Sequence, residues 1–238
     1  MAQRRELHDA YFRKAKAEGY VARSAYKLRQ INDRKRLIRP GDRVLDLGCA
    51  PGSWLQVASE IVGPAGVVAG LDLKPISPPP GGMPHNVRAA EGDIFAASAT
   101  DLLAIGGIGT DGDAHEGYDV VLSDMAPSTA GGGGGSADHF RSVELCRRIL
   151  ALLPGILRPG GNLAMKVFEG EAYPALLRET AAFFAEAKGF KPDASRDVSR
   201  EIYIVAKGYR PPAGVASKPD RHEGIAPPPP PVSKGWSR

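Results

Sequence analysis

The chain has 238 residues, of which 42% are hydrophobic and 24% are charged. This composition is that of a globular protein and excludes a fully disordered chain. No apolar run approaches the roughly 20 residues of a membrane span, which excludes an integral membrane protein, and the charged N-terminus predicts no secretory signal. Two cysteines, Cys49 and Cys146, are too few for a disulfide framework or a four-cysteine zinc site. We therefore expect a cytoplasmic protein.

Charge is divided unevenly along the chain, although the net charge is only +4. Residues 1–43 contain 13 Lys and Arg against 5 Asp and Glu, residues 44–206 contain 12 against 20, and residues 207–238 contain 6 against 2. Basic segments that flank an acidic centre favour a polyanionic partner, and nucleic acid is the first candidate. A solvated basic helix without such a partner is the alternative at this stage.

The basic N-terminal segment predicts an amphipathic helix that Ser24 caps. One face of this helix carries the polar residues Arg23, Lys27, Gln30 and Arg34. Arg23, Lys27 and Arg34 are therefore candidate contacts to RNA. The tyrosines interleaved with these charges either stack on bases or anchor the core, and the sequence favours neither.

The central part of the chain alternates between strand and helix patterns, which predicts a doubly wound α/β sheet with right-handed crossovers. Short apolar runs predict strands at Arg43–Leu47, Val67–Leu71, Asn86–Ala90, Asp119–Ser123, Asn162–Val167 and Ile202–Ala206. Apolar residues at helical spacing predict helices around Trp54–Val62, Phe140–Leu153 and Leu176–Ala187.

A glycine-containing turn follows the first predicted strand and opens a helix. Gly48 and Gly52 permit a close approach of the backbone to a ligand, with Asp46 just before the turn. Asp72 and Asp93 follow the next two strands, where a carboxylate can bind ribose hydroxyls or an adenine amino group. The turn lacks the G-x-G-x-x-G pattern of dinucleotide sites, which disfavours a nicotinamide oxidoreductase. A cationic sulfonium without phosphate, S-adenosylmethionine (SAM), suits these acids better.

Two later strands end in charged residues. Asp124 follows the fourth strand, Lys166 lies near the end of the fifth, and Glu201 begins the last. A lysine that emerges from an apolar strand is costly unless it is partnered. Asp124, Lys166 and Glu201 are therefore predicted to face one cleft, which Lys27 approaches from the N-terminal helix. Each alone is an ordinary salt-bridge residue, but together they suit proton removal from a ribose 2′-hydroxyl.

The chain resembles the FtsJ-like (RlmE-type) ribose 2′-O-methyltransferases over about residues 6–209. The resemblance is carried by Ala15-Lys16, Gly19-Tyr20, Ala22–Leu28, Asp46–Trp54, Ser123–Pro127 and Met165–Phe168. It implies a Rossmann-like SAM-dependent methyltransferase fold, with a mostly parallel seven-stranded sheet and helices on both faces. Amino-methyltransferase and cytosine-methyltransferase motifs are absent, which leaves oxygen as the acceptor.

The resemblance also assigns roles to particular residues. The family's K-D-K-E catalytic set falls on Lys27, Asp124, Lys166 and Glu201, with Lys166 as the proton acceptor. The family's contacts to SAM fall on Gly52, Trp54, Asp72, Asp93 and Asp124. The implied substrate is a uridine of 23S ribosomal RNA in the large ribosomal subunit. A transfer-RNA ribose methyltransferase and an inactive RNA-binding assembly factor remain the alternatives.

Three regions are expected. Residues 1–40 form a basic helical arm on the RNA side, residues 41–209 form the methyltransferase domain, and residues 210–238 form a proline-rich, disordered basic tail. Segments rich in glycine, Gly106–Gly117 and Gly131–Gly135, predict flexible loops. The five histidines show no metal-ligand spacing, so no metal is expected, and the protein is expected to be a monomer without membrane contact.

Overall fold

The computed structural model describes residues 2–79, 81–109, 117–127, 136–195 and 199–212, and their side chains except those of 2–9 and 136. The predicted glycine loop Gly131–Gly135, the centre of the loop Gly106–Gly117 and the tail beyond residue 212 lie outside the described residues.

The described residues form one seven-stranded sheet. Its strands are β1 Arg43–Leu47, β2 Val67–Asp72, β3 Val87–Glu91, β4 Tyr118–Ser123, β5 Leu157–Phe168, β6 Phe184–Phe190 and β7 Glu201–Tyr209. They lie in the order β3-β2-β1-β4-β5-β7-β6, and β7 is antiparallel to both of its neighbours. The helices are α1 Ala2–Ala17, α2 Ala25–Lys35, α3 Ser53–Val62, α4 Ala99–Gly106, α5 Ser136–Ile156 and α6 Tyr173–Ala181.

The strand order reverses between β1 and β4. In open α/β sheets this reversal leaves a crevice at the carboxyl ends of the strands, and ligands bind there. The turn after β1 and Asp124 after β4 both lie at this crevice because β1 and β4 are parallel and in register, with Leu47 opposite Ser123.

Two hydrophobic clusters cover the two faces of the sheet. Alternation along β1 sends Val44 into the cluster that contains Leu28 of α2 and Val57 of α3. Leu45 enters the other cluster, which contains Ile149 of α5. The predicted Rossmann-like fold, a mostly parallel seven-stranded sheet between two helical layers, is confirmed.

The six predicted strands are present, but the third predicted helix is partly wrong. Phe184 and Ala187 were assigned to it by their helical spacing, whereas α6 ends at Ala181 and β6 begins at Phe184. Strand β6 pairs antiparallel with β7, placing Phe184 opposite Tyr209. The spacing of the apolar residues around Phe184 fits both a helix and a strand, and pairing with β7 decides for the strand.

Ser24 occupies the N-cap position of α2, but the predicted side-chain cap is wrong. Ser24 has helical backbone angles and forms no side-chain cap hydrogen bond. Its hydroxyl instead lies 2.7 Å from the hydroxyl of Ser53, the first residue of α3. The indole of Trp54 donates to the Ser24 carbonyl at 2.9 Å. Packing of α2 against α3 therefore overrides the local capping preference.

Candidate active site

A cleft of about 760 Å³ opens at the carboxyl ends of β1, β2 and β4. Four of the residues assigned to the cofactor from the sequence line it, namely Gly48, Asp72, Asp93 and Asp124. Gly52 and Trp54 are not among its lining residues. The Trp54 side chain is buried and donates to the Ser24 carbonyl, so the part of Trp54 that remains available for the predicted cofactor contact is its backbone. The first N–H groups of α3 have no partner within the helix and are such backbone donors.

The turn after β1 requires glycine at its first position. Gly48 has a φ of +81°, and an added Cβ would lie 2.3 Å from Cγ of Met125. Gly52 has a φ of +114° and precedes α3. A side chain at Gly48 would therefore displace the segment after β4 that borders the cleft.

Asp72 is held by the backbone around it. One carboxylate oxygen accepts from the Ala50 N–H and the other from the Lys74 N–H, each at 2.9 Å. These two bonds fix the carboxylate at the wall of the cleft while leaving lone pairs for a ligand. Asp93 accepts from the Phe95 N–H at 3.0 Å and is exposed at the same wall.

Asp46 is fully buried beneath the turn, and neither carboxylate oxygen has a hydrogen-bond partner among the described residues. Burial, followed by the negative charges of Asp124 and Asp72, raises its pKa well above the ordinary value. A buried acid without a partner costs about 1–3 kcal/mol. A cationic ligand in the adjoining cleft would relieve this cost, and SAM is such a ligand.

The four residues of the predicted catalytic set form two ion pairs. Nζ of Lys166 lies 2.9 Å from Oδ1 of Asp124 and also donates to the Asp124 carbonyl oxygen. Nζ of Lys27 lies 2.7 Å from Oε1 of Glu201. Both lysines and Glu201 are buried, and Lys27 reaches the site because α2 packs beside β7.

Tyr203 joins these pairs and was missed by the sequence analysis. Its hydroxyl donates to Oδ1 of Asp124 at 2.6 Å, and its ring lies under the Lys27 ammonium at 5.9 Å. Register places Tyr203 opposite Lys166 across β5 and β7. Glu201 and Tyr203 share one face of β7 because side chains alternate along a strand. Counting two residues on from Glu201 along the predicted strand would therefore have indicated that Tyr203 faces the same cleft.

Opposing effects set the protonation of this network. Burial acts to raise the pKa of Asp124, but the ammonium groups of Lys166 and Lys27 outweigh it and hold the pKa below its usual value. Burial, together with the charge of Asp124, raises the pKa of Tyr203 well above its usual value. Asp124 therefore remains an ionised acceptor between a lysine and a protonated phenol.

The arm residues lie in different surroundings. Lys27 belongs to the site, whereas Arg34 is exposed and Arg23 is half-buried. Tyr20 and Tyr26 are buried, with hydroxyls that donate to Glu60 and Glu18, so these two tyrosines anchor the core.

Within the described ranges, no group of three or more His, Cys, Asp or Glu is arranged to hold a metal ion. No helix in the described part of the chain is both long enough and apolar enough to cross a membrane.

A sheet in this strand order, with acids rather than a phosphate-binding glycine pattern at the switch point, is typical of SAM-dependent methyltransferases of the Rossmann-like class. The model of the FtsJ-like methyltransferase family matches residues 20–209. The chain belongs to this family.

Relatives and one solved structure agree with this assignment. The chain is 43% identical to ribosomal RNA large subunit methyltransferase E of Desulfatibacillum aliphaticivorans, over 83% of this chain and 88% of the relative. It is 44% identical to the protein of the same name from Syntrophobacter fumaroxidans, over 86% of this chain and 97% of the relative. A crystal structure from Plasmodium falciparum, assigned as a ribosomal RNA methyltransferase, has 26% identity and a TM-score of 0.64, and the match covers 80% of this chain and 98% of that chain.

These findings confirm the predicted family, the predicted enzyme class and SAM as the cofactor. The roles assigned to individual residues stay predictions, which the geometry makes specific enough to test.

Proposed function

We propose that the protein transfers the methyl group of SAM to a ribose 2′-hydroxyl of large-subunit ribosomal RNA, at a uridine. The observation that carries this proposal is the placement of Lys166. Its ammonium is buried and paired with Asp124, a residue that lines the cleft at the switch point. A single amine at the edge of a cofactor cleft, held on an acid, suits the removal of one proton from an alcohol.

The acids of the cleft support one orientation of the cofactor. Asp72 is fixed by two backbone N–H groups and accepts from the ribose hydroxyls. Asp93 accepts from the adenine amino group. Asp46, whose carboxylate oxygens have no partner among the described residues, lies beneath the turn, where the positive sulfonium of bound SAM would favour its ionised form. Bound SAM supplies a methyl group on a positively charged sulfur.

Lys166 is assigned the proton transfer. Its Nζ would take the proton of the 2′-hydroxyl while the hydroxyl oxygen bonds to the methyl carbon that SAM would supply, and the electron pair of the broken carbon–sulfur bond would stay on sulfur. Asp124 holds Nζ in place and accepts a hydrogen bond from Tyr203, which orients it. Lys27, paired with Glu201, supplies positive charge beside the developing alkoxide. The neutral amine of Lys166 is the form that accepts this proton.

The RNA partner is supported by the charge of the arm and by the names of the relatives. Arg34 is exposed on α2, the helix that also delivers Lys27 to the site. An RNA phosphate bound by this helix therefore lies near the catalytic set.

We propose that residues 1–40 act as the RNA-side arm and that the tail after residue 209 is dispensable for chemistry. We also propose that the enzyme acts as a monomer in the cytoplasm.

The decisive experiment supplies the purified protein with labelled SAM and one RNA at a time. Large ribosomal subunits, free ribosomal RNA and transfer RNA are the three substrates, each prepared from cells that lack the modification. We expect label in ribosomal RNA, on the 2′-oxygen of a uridine after digestion to nucleosides. Label in transfer RNA alone would establish the transfer-RNA alternative, and the absence of label on every RNA would contradict the proposal.

A further inference from the structure

Three polar side chains of α5 that the proposed reaction does not use lie on one helix face. His139, Ser142 and Cys146 share this face because three or four residues separate each from the next. All three are buried, His139 and Ser142 with 2% of their surface exposed and Cys146 with 1%. Burial of polar groups is costly unless they find partners, and these three find theirs on the main chain of β5.

The end of β5 lacks one of its two neighbouring strands. Strand β4 ends at Ser123, opposite Met165, so Lys166 and the two residues after it extend beyond β4. On the other side, β7 continues, with Phe168 opposite Glu201. The part of β5 that carries Lys166 therefore has a strand on one side only.

Helix α5 supplies the missing partners. The Cys146 thiol donates to the Lys166 carbonyl at 3.2 Å. The Ser142 hydroxyl accepts from the Phe168 N–H at 3.1 Å, and the His139 Nδ1 lies 2.7 Å from the Phe168 carbonyl. Both main-chain groups of Phe168 are thus held by α5.

The second nitrogen of His139 fixes the tautomer of the ring. Its Nε2 lies 3.0 Å from the Ala172 N–H, which can only donate, so Nε2 is an acceptor without a proton. Nδ1 therefore carries the proton and donates to Phe168. Gly170 passes so close that an added Cβ would lie 2.5 Å from the ring. One neutral imidazole joins α5, the end of β5 and the start of α6.

We propose that His139 is a positioning residue for methyl transfer and acts through the main chain of Phe168. That residue lies two positions after Lys166 and directly opposite Glu201. The hydrogen bond from Nδ1 thereby fixes the backbone from which the side chains of Lys166 and Glu201 project. Misplacement of a reacting group by 1 Å costs about 100-fold in rate. The inference rests on the proposed role of Lys166.

Two conservative variants separate the two bonds of His139. In His139→Asn the amide nitrogen takes the place of Nδ1 and keeps the donor to Phe168, whereas the acceptor for Ala172 is lost. In His139→Gln the amide oxygen takes the place of Nε2, and the donor to Phe168 is lost. We expect His139→Asn to keep the single-turnover rate within about 3-fold. We expect His139→Gln and His139→Ala to lower it about 10- to 100-fold, with unchanged dissociation constants for SAM and RNA.

Asn86→Ala is the matched control. The Asn86 side chain is also buried, accepts from Ser59 and donates to the Gly63 carbonyl, but it lies at the amino end of β3, away from the cleft. It should lower the melting temperature without lowering the rate. Ser142→Ala, which removes the acceptor for the Phe168 N–H, provides a second test if a His139 variant fails to fold, and it should also slow transfer at unchanged SAM affinity.

Rates of His139→Gln and Ser142→Ala equal to wild type would overturn the inference. So would equal losses in His139→Asn and His139→Gln, because the bond to Phe168 would then not matter. Lys166→Ala is measured in parallel to separate this failure from that of the proposed function. Transfer retained in Lys166→Ala contradicts the role of Lys166 itself, whereas an inactive Lys166→Ala beside a fully active His139→Gln contradicts only the role of His139.

Discussion

At the scale of single residues, two acids beside the cleft have pKa values that are shifted in opposite directions. Asp124 is half-buried, and two lysines hold its pKa below the usual value, whereas Asp46 is fully buried, has no hydrogen-bond partner among the described residues and has a pKa raised well above the usual value. The difference follows from what faces each carboxylate rather than from burial itself. Three predictions concern single residues in or beside this cleft.

Lys166→Ala should abolish methyl transfer while leaving SAM affinity and the fold nearly intact, because the amine is lost but the cleft lining is not. Lys166→Arg should fail as well, since a guanidinium is not deprotonated in proteins. Loss of a positioned base costs about 10²–10⁴ in rate, measured by single turnover at saturating SAM and RNA. A near-wild-type rate of Lys166→Arg at every pH would show that only the positive charge matters.

Asp72→Ala should weaken SAM binding by about 1–3 kcal/mol, roughly 5- to 150-fold, because the ribose hydroxyls lose their acceptor. Calorimetry of the free protein with SAM measures this directly. Glu91→Ala, at an exposed carboxylate that ends the neighbouring strand β3, is the control and should bind SAM as wild type does. Unchanged affinity in Asp72→Ala would remove Asp72 from the cofactor site.

Asp46→Asn should stabilise the protein without SAM and weaken its binding of SAM. The folded-state pKa of Asp46 is raised, so the wild-type acid favours folding most below the unfolded pKa of about 3.9 and progressively less as pH rises toward the folded value. Asn does not titrate, and the stability gained by Asp46→Asn should therefore be larger at pH 7 than at pH 5. Urea unfolding at the two pH values tests this. An equal gain at both would mean that Asp46 is ionised in the fold.

At the scale of elements, α2 contributes to the core, to the candidate site and to the surface within one short helix. Its apolar residues enter the same core as α3, one of its lysines completes the catalytic set, and its last turn is exposed and basic. The glycine turn and α2 are also bonded to each other through Ser24, Ser53 and Trp54. The helix proposed to bind RNA and the turn proposed to bind the cofactor thus belong to adjacent elements of one packed layer.

Arg34→Glu should weaken RNA binding and reduce its salt dependence, because an exposed phosphate contact on α2 is replaced by repulsion. Loss of one contact lowers the slope of log K against log salt by roughly 0.7–0.9. Arg178→Glu makes the same charge change at an exposed position of α6, on the other face of the sheet, and should leave the slope unchanged. Identical slopes for both variants would mean that the basic face of α2 is merely solvated.

At the scale of the whole molecule, α2 of the proposed arm is part of the hydrophobic core on one face of the sheet. Leu28 and Ile31 of α2 are fully buried in the cluster that contains Trp54 and Val57 of α3. Their removal would expose that cluster and leave Glu201 buried without Lys27.

Deletion of residues 1–40 should therefore prevent stable folding rather than only abolish RNA binding. Circular dichroism and thermal unfolding report this, and deletion of residues 213–238 is the control, expected to retain the wild-type melting temperature. A shortened chain without residues 1–40 that melts cooperatively and binds SAM normally would contradict the expectation.

Local sequence determined the alternation of strands and helices, the glycine turn, and the acids at the strand ends, because each depends on residues close together in the chain. Short apolar runs placed β1 to β5 and β7, and the motifs around Asp46–Trp54 and Lys166 carried the family resemblance. Only the tertiary structure decided the rest. Sheet pairing made a strand of Phe184–Phe190, and helix packing turned Ser24 toward α3. The register of β5 against β7 placed Tyr203 within hydrogen-bond distance of Asp124. Because β4 ends before Phe168, the main chain of Phe168 bonds to His139 instead of to a strand. These contacts join residues far apart in the chain, and local patterns do not encode the register that brings them together.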